Sequence, residues 1–125
     1  ESALREPVEL PLPIIESCGL QDAIGFGELQ SEQPVCIKPG SGHFYIHVKQ
    51  PNSRLEIRTR HGQGDVDIYA APWWPTSNHY AFRSAQEGNQ EYLRIDAPMP
   101  GWFYVLLDGF EHQGVTLQVN LSAAQ

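Results

Sequence analysis

Apolar and polar residues alternate with a period of two along most of this chain. Phe44, Ile46 and Val48 alternate with His43, Tyr45 and His47; Leu55, Ile57 and Thr59 alternate with Arg54, Glu56, Arg58 and Arg60. After the turn glycines Gly62 and Gly64, Val66, Ile68 and Ala70 alternate with Asp65, Asp67 and Tyr69. The pattern returns in Tyr92–Ala97, where Leu93 and Ile95 face inward, and in Trp102–Leu107, where Phe103 and Val105 take the face opposite Trp102 and Tyr104. It returns again in Val115, Leu117, Val119 and Leu121. Strict alternation marks a strand with one buried face. Shorter strands are expected over Gln33–Ile37 and from Tyr80 and Phe82, and a strand or irregular crossover over residues 18–33. Pro7, Pro11 and Pro13 among Val8, Leu10 and Leu12 predict an edge strand or extended arm over residues 1–17.

Turn chemistry separates these segments: Pro39-Gly40-Ser41-Gly42, Gln50-Pro51-Asn52-Ser53, the polar run 84–90, Pro98-Met99-Pro100-Gly101 and Asp108-Gly109. No stretch has helical periodicity and no internal repeat is present. Eight or nine short strands punctuated by turns predict an all-β fold, an antiparallel β-sandwich that is jelly-roll-like. At 125 residues one domain is expected. Residues 1–32 form its arm and first strands, and residues 33–125 the sandwich.

Composition narrows the function. A net charge of −7 with no basic stripe excludes a nucleic-acid partner, whose affinity rests on phosphate contacts. Arg54, Arg58 and Arg60 come nearest to such a stripe, but Glu56 interrupts them. No apolar run is long enough to span a membrane as a helix, so no membrane partner is expected. No signal peptide is recognisable, and residue 1 reads as the start of a mature chain or of an excised domain. Cys18 and Cys36 are the two cysteines. In a small β-rich chain such a pair reads as a disulfide and points to an oxidising, secreted or periplasmic location. Two buried free thiols are the alternative; zinc would need close-spaced partners that are missing.

Catalytic signatures are absent: the sequence holds no GxSxG elbow, HExxH helix, P-loop or GxGxxG turn. A non-enzyme is expected. Asp65 and Asp67 are weak candidates for a hard cation, which needs more oxygens than two carboxylates supply. The plainer reading is that Asp65 caps the glycine turn and Asp67 pairs with Arg58 or Arg60. His43 and His47 sit four residues apart on a strand, roughly 13 Å. That is too far to share a metal, and they read as a solvent-facing row. The strongest candidates for ligand binding are Trp73, Trp74, Tyr80, Trp102 and Tyr104, because aromatic faces bind sugar and proline rings. Pro72 and Pro75 bracket the two loop tryptophans, whose other possible role is to plug one end of the sandwich.

Gly64-Asp65-Val66-Asp67-Ile68-Tyr69 resembles the Gly-Asp-Ala-Asp-Leu-Tyr signature of bacterial pre-peptidase C-terminal domains. Phe44 to Val48 is similar to that family's Tyr-x-Phe-x-Val strand. Pro100-Gly101-Trp102-Phe103-Tyr104-Val105 is similar to its Ala-Gly-Thr-Tyr-Tyr-Val strand, and Gly114-Val115-Thr116-Leu117 to its closing strand. The resemblance covers about residues 33–121. It implies a non-catalytic β-sandwich attached to a secreted bacterial peptidase, with a parent catalytic domain as partner. The implied task is attachment to a fibrous protein such as collagen. A carbohydrate-binding module on a polysaccharide surface, or a structural or secretion element removed on maturation, are the alternatives. Calcium-binding relatives carry aspartates beside the strand that here spans His43 to Val48. This chain has Ser41-Gly42-His43 there, so the resemblance brings no calcium ligands to that position and no cofactor is expected.

Overall fold

A computed structural model describes residues 18, 23–62, 64–85, 91–96, 98, 100–109 and 114–123. Nine strands carry them: β1 (Phe26–Glu28), β2 (Val35–Cys36), β3 (Gly42–Val48), β4 (Ser53–Arg60), β5 (Asp67–Ala71), β6 (Phe82–Ser84), β7 (Glu91–Asp96), β8 (Gly101–Asp108) and β9 (Thr116–Ala123). They form two sheets, one of five strands in the order β1-β3-β8-β5-β6 and one of four in the order β2-β9-β4-β7. There is no helix among the described residues. The predicted extended arm over residues 1–17 and most of the predicted turn 84–90 lie outside the described residues.

Alternation produces the sandwich directly. Phe44, Ile46, Val48, Ile68, Ala70, Phe103, Val105 and Leu107 point inward from the five-stranded sheet, and Leu55, Ile57, Ile95, Leu117 and Val119 from the four-stranded one. Leu29, Ile37, Val66 and Val115 fill the space around them. Truncating one of the large members, such as Phe44 or Phe103, would cost about 3–5 kcal/mol through lost burial and the cavity left behind. The outer face of the four-stranded sheet is charged and polar. On it Asp96 accepts hydrogen bonds from Arg54 and Arg94, each at 3.2 Å, and these two guanidiniums hold its carboxyl below the ordinary range, Arg94 foremost. Arg58 lies over the Tyr92 ring at 5.0 Å.

Two features depart from the alternation. β1 pairs parallel to β3, with Phe26 opposite His43 and Glu28 opposite Tyr45, so the sandwich is not wholly antiparallel. A parallel neighbour needs a crossover, and here the chain supplies it by passing through β2 in the other sheet between the two strands. The strand expected from the Gly64 stretch begins only at Asp67, and Ile68, Tyr69, Ala70 and Ala71 are all buried. Its outer face is covered because the loop after β5 folds back, bringing Tyr80 to 5.1 Å from Tyr69.

A disulfide anchors residue 18 to the four-stranded sheet, and a buried hydrogen bond joins the two sheets. Cys18 and Cys36 form a disulfide with Cα atoms 5.7 Å apart, and the Cys18 N–H donates to the Gly114 carbonyl at 2.8 Å. At another edge, the Ser84 hydroxyl on β6 donates to the buried Glu91 carboxylate on β7 at 2.6 Å. The Glu91 N–H in turn donates to the Thr59 hydroxyl at 3.1 Å.

Candidate functional site: an aromatic sheet face

The antiparallel register of β3 and β8 sets Tyr45 opposite Tyr104 and His47 opposite Trp102. Residues two apart share a face, so His43, Tyr45 and His47 project outward from β3 beside Trp102 and Tyr104 from β8. Parallel β1 adds Phe26, 62% exposed, at 5.7 Å from Tyr45. The loop after β5 lays Trp74 across this surface. Its ring lies 4.4 Å from Tyr104, 6.1 Å from Tyr45, 6.1 Å from Phe26 and 6.0 Å from His43. Trp102 lies 5.5 Å from Tyr45 and 4.9 Å from His47. Trp74 and Trp102 remain 44% and 45% exposed. The result is a contiguous strip of rings along the outer face of the five-stranded sheet.

The rings do not form a flat platform. Tyr45 crosses Trp74 at 80° and Trp102 at 77°, so the two indoles stand as walls on either side of a half-buried phenol ring. Three of the five residues singled out from sequence, Trp74, Trp102 and Tyr104, belong to this strip. Trp73 does not join it: a two-way backbone pair between Thr76 and His79 turns the loop, and Trp73 stacks on His79 at 4.9 Å and 23°. Tyr80 packs on Tyr69 instead. Phe26 and Tyr45 were missed, and the row of His43, Tyr45 and His47 is the flank of the strip and not a bare solvated face. The signal for Tyr45 was present in the alternation. Phe26 needed the parallel crossover to be known.

A second cluster lies at the start of β5. Carboxylate oxygens of Asp65, Asp67 and Glu91 lie within 4.8 Å of one another. Burial raises the Asp67 pKa above its ordinary value, and the charges of Asp65, Glu91 and Asp108 raise it further. The guanidinium that opposes them is that of Arg83. The expected pairing of Asp67 with Arg58 or Arg60 is therefore corrected. Those arginines are on β4 of the other sheet, whereas Arg83 sits on β6, opposite Tyr69 of β5. Three carboxylates are a partial set for calcium, which takes six to eight oxygens, and one Glu91 oxygen already accepts from Ser84.

Fold and surface together define a disulfide-tied β-sandwich module that presents an aromatic sheet face. Residues 40–109 match the family described as bacterial pre-peptidase C-terminal domain, and the chain belongs to that family. It is 31% identical over 100 residues to alkaline serine exoprotease A of Vibrio alginolyticus, covering 75% of this chain and 18% of that protein. It is 28% identical over 109 residues to a neutral protease of Vibrio proteolyticus, covering 83% of this chain and again 18% of the relative. The chain thus spans less than a fifth of the length of either protease. The pre-peptidase C-terminal domain of a collagenase from Bacillus anthracis superposes with a TM-score of 0.52 over 83% of this chain and all of that one, at 10% identity. That likeness is one of fold.

Proposed function

We propose that this domain is a non-catalytic accessory module of a secreted bacterial peptidase, and that its aromatic face attaches the enzyme to an insoluble protein substrate such as collagen. The observation that carries the reading is the strip Phe26, Tyr45, Trp74, Tyr104 and Trp102, left exposed on one sheet face with tilted rings. Exposed apolar patches of this kind mark interaction surfaces. Proline-rich chains in the polyproline II conformation dock into grooves between aromatic side chains, because their backbone is already extended and little entropy is lost on binding. Walls at nearly right angles to the Tyr45 ring suit pyrrolidine rings better than the flat face of a sugar polymer, which favours coplanar rings. The disulfide fits an oxidising, extracellular setting, and similarity to an exoprotease and a collagenase domain points the same way.

The test is co-sedimentation of the isolated domain with insoluble collagen, chitin and cellulose. Retention on collagen alone supports the proposal. Retention on a polysaccharide instead makes the domain a carbohydrate-binding module. Binding to none of them, with secretion of the parent enzyme lost on deletion, leaves a structural or secretion role.

A further inference from the structure

The aromatic strip does not end at Trp102. At that end of the sandwich a cleft of about 630 Å³ opens between the two sheets, lined by residues that close β1, β3 and β9 and begin β4. Its apolar floor is Leu29, Ile46 and Leu121, and its rim carries Lys49, Gln50 and Ser122. His47 borders both regions: it lines the cleft and its ring lies 4.9 Å from Trp102. Lys49 continues the outward series His43, Tyr45, His47 by the same two-residue step, is exposed, and has no ion-pair partner among the described residues. Strip and cleft therefore meet at His47, with rings on the outer face leading to an apolar hollow between the sheets that is edged by amides and hydroxyls and has an ammonium at its lip.

We infer that this path takes a single extended polypeptide. Residues beyond those stacked on the strip enter the cleft, with an apolar side chain over Leu29, Ile46 and Leu121 and a carboxylate at Lys49. The inference rests on the aromatic strip being the attachment surface. The volume is that of a site for a few residues, and hydroxyl and amide groups at the rim can serve both the donors and the acceptors of a peptide backbone. Glu28 also lines the cleft, which places both signs of charge there and leaves Lys49 as the group that would select an acidic end. The carboxylate is that of an acidic side chain within the extended polypeptide, and a gain shown by the terminal form alone would overturn that assignment.

Fluorescence anisotropy with labelled peptides separates the possibilities. One peptide contains Pro-Pro-Gly repeats alone, with blocked ends. Others extend it at either end by Gly-Leu-Glu, Gly-Leu-Gln or Gly-Leu-Lys with blocked ends, and one ends in Gly-Leu-Gln with a free terminal carboxylate. A carboxylate extension should bind about fivefold more tightly than its neutral counterpart, the size of an exposed ion pair. Whether the side-chain or the terminal form gains identifies the source. Lys49→Glu should abolish the gain and transfer it to the Gly-Leu-Lys peptide, a reversal that a purely structural role for Lys49 would not produce. Repeats that bind wild type and lose affinity in Trp102→Ala, but gain nothing from any extension, overturn the inference and leave the strip standing. Repeats that do not bind wild type at all overturn both.

Discussion

Replacing Trp74 by alanine separates attachment from folding. Its ring touches Phe26, His43, Tyr45 and Tyr104, yet 44% of the residue remains exposed. A fully buried tryptophan truncated to alanine costs about 3–5 kcal/mol, so a ring covered on one side should cost roughly half, about 2 kcal/mol. For a domain of this size that corresponds to a melting temperature lower by roughly 6–10 °C, and the protein stays folded at room temperature. Its loss from an interface centre should cost at least about 2 kcal/mol in binding, which is roughly thirty-fold in affinity. Trp73→Ala is the internal control. Its ring is 39% exposed and stacks on His79 away from the strip, so it should lose comparable stability but less than about threefold in affinity, its contacts being those of a loop and not of an interface centre. Thermal unfolding followed by circular dichroism gives the first quantity, and depletion isotherms on insoluble collagen the second. Equal retention by wild type and Trp74→Ala would refute the assignment. So would loss of retention that only follows a collapse of the folded state in both variants.

Four further outcomes follow from the geometry. Replacing Cys18 and Cys36 by serine opens a link between residues 18 positions apart and should cost about 3 kcal/mol, read as a lower urea midpoint that reductant no longer changes. Gly109→Ala would drive a methyl into the Asp65 carbonyl oxygen, which is backbone and cannot swing away; a loss of about 1–3 kcal/mol is expected, and an unchanged midpoint would contradict the close approach. Asp67 has a raised pKa when folded, so its ionised form opposes folding above that pKa and the cost fades as pH falls towards its unfolded value of 3.8. Asp67→Asn should thus stabilise at neutral pH and converge with wild type near pH 4, whereas a gain largest in acid would reverse the sign. Millimolar calcium should shift the melting temperature by less than about 2 °C, because stabilisation grows only as RT ln(1 + [L]/Kd) and three carboxylates make a partial site. A chelator-reversible rise of many degrees that is absent in Asp67→Asn would instead establish a calcium centre.

The strands were legible because burial on one side imposes a period of two, and that period is local. The outward placement of Trp102 and Tyr104 followed from Phe103 and Val105 between them. The cross-strand neighbourhood of those rings did not follow, since it depends on the register with β3 and on a parallel edge strand reached through the opposite sheet. Trp73 and Trp74 are adjacent in sequence but serve different surfaces, because the turn at Thr76–His79 brings a histidine under one and leaves the other over the sheet. The grouping of Glu91 with Asp65 and Asp67 was equally hidden, being set by contact between the β6 and β7 edges.

The two outer faces of the sandwich are chemically opposite: rings on one, arginines and carboxylates on the other. Two sheets packed about 10 Å apart make a thin slab. A slab gripping a fibre by its aromatic face would lie flat with its strands along the surface. It would coat the fibre instead of wedging into it, and would present a hydrated, mixed-charge face to the solvent. Tyr92, capped by Arg58, is the exposed ring on that face, so the face gives a second copy little apolar surface to stack on and coverage would stop at one layer.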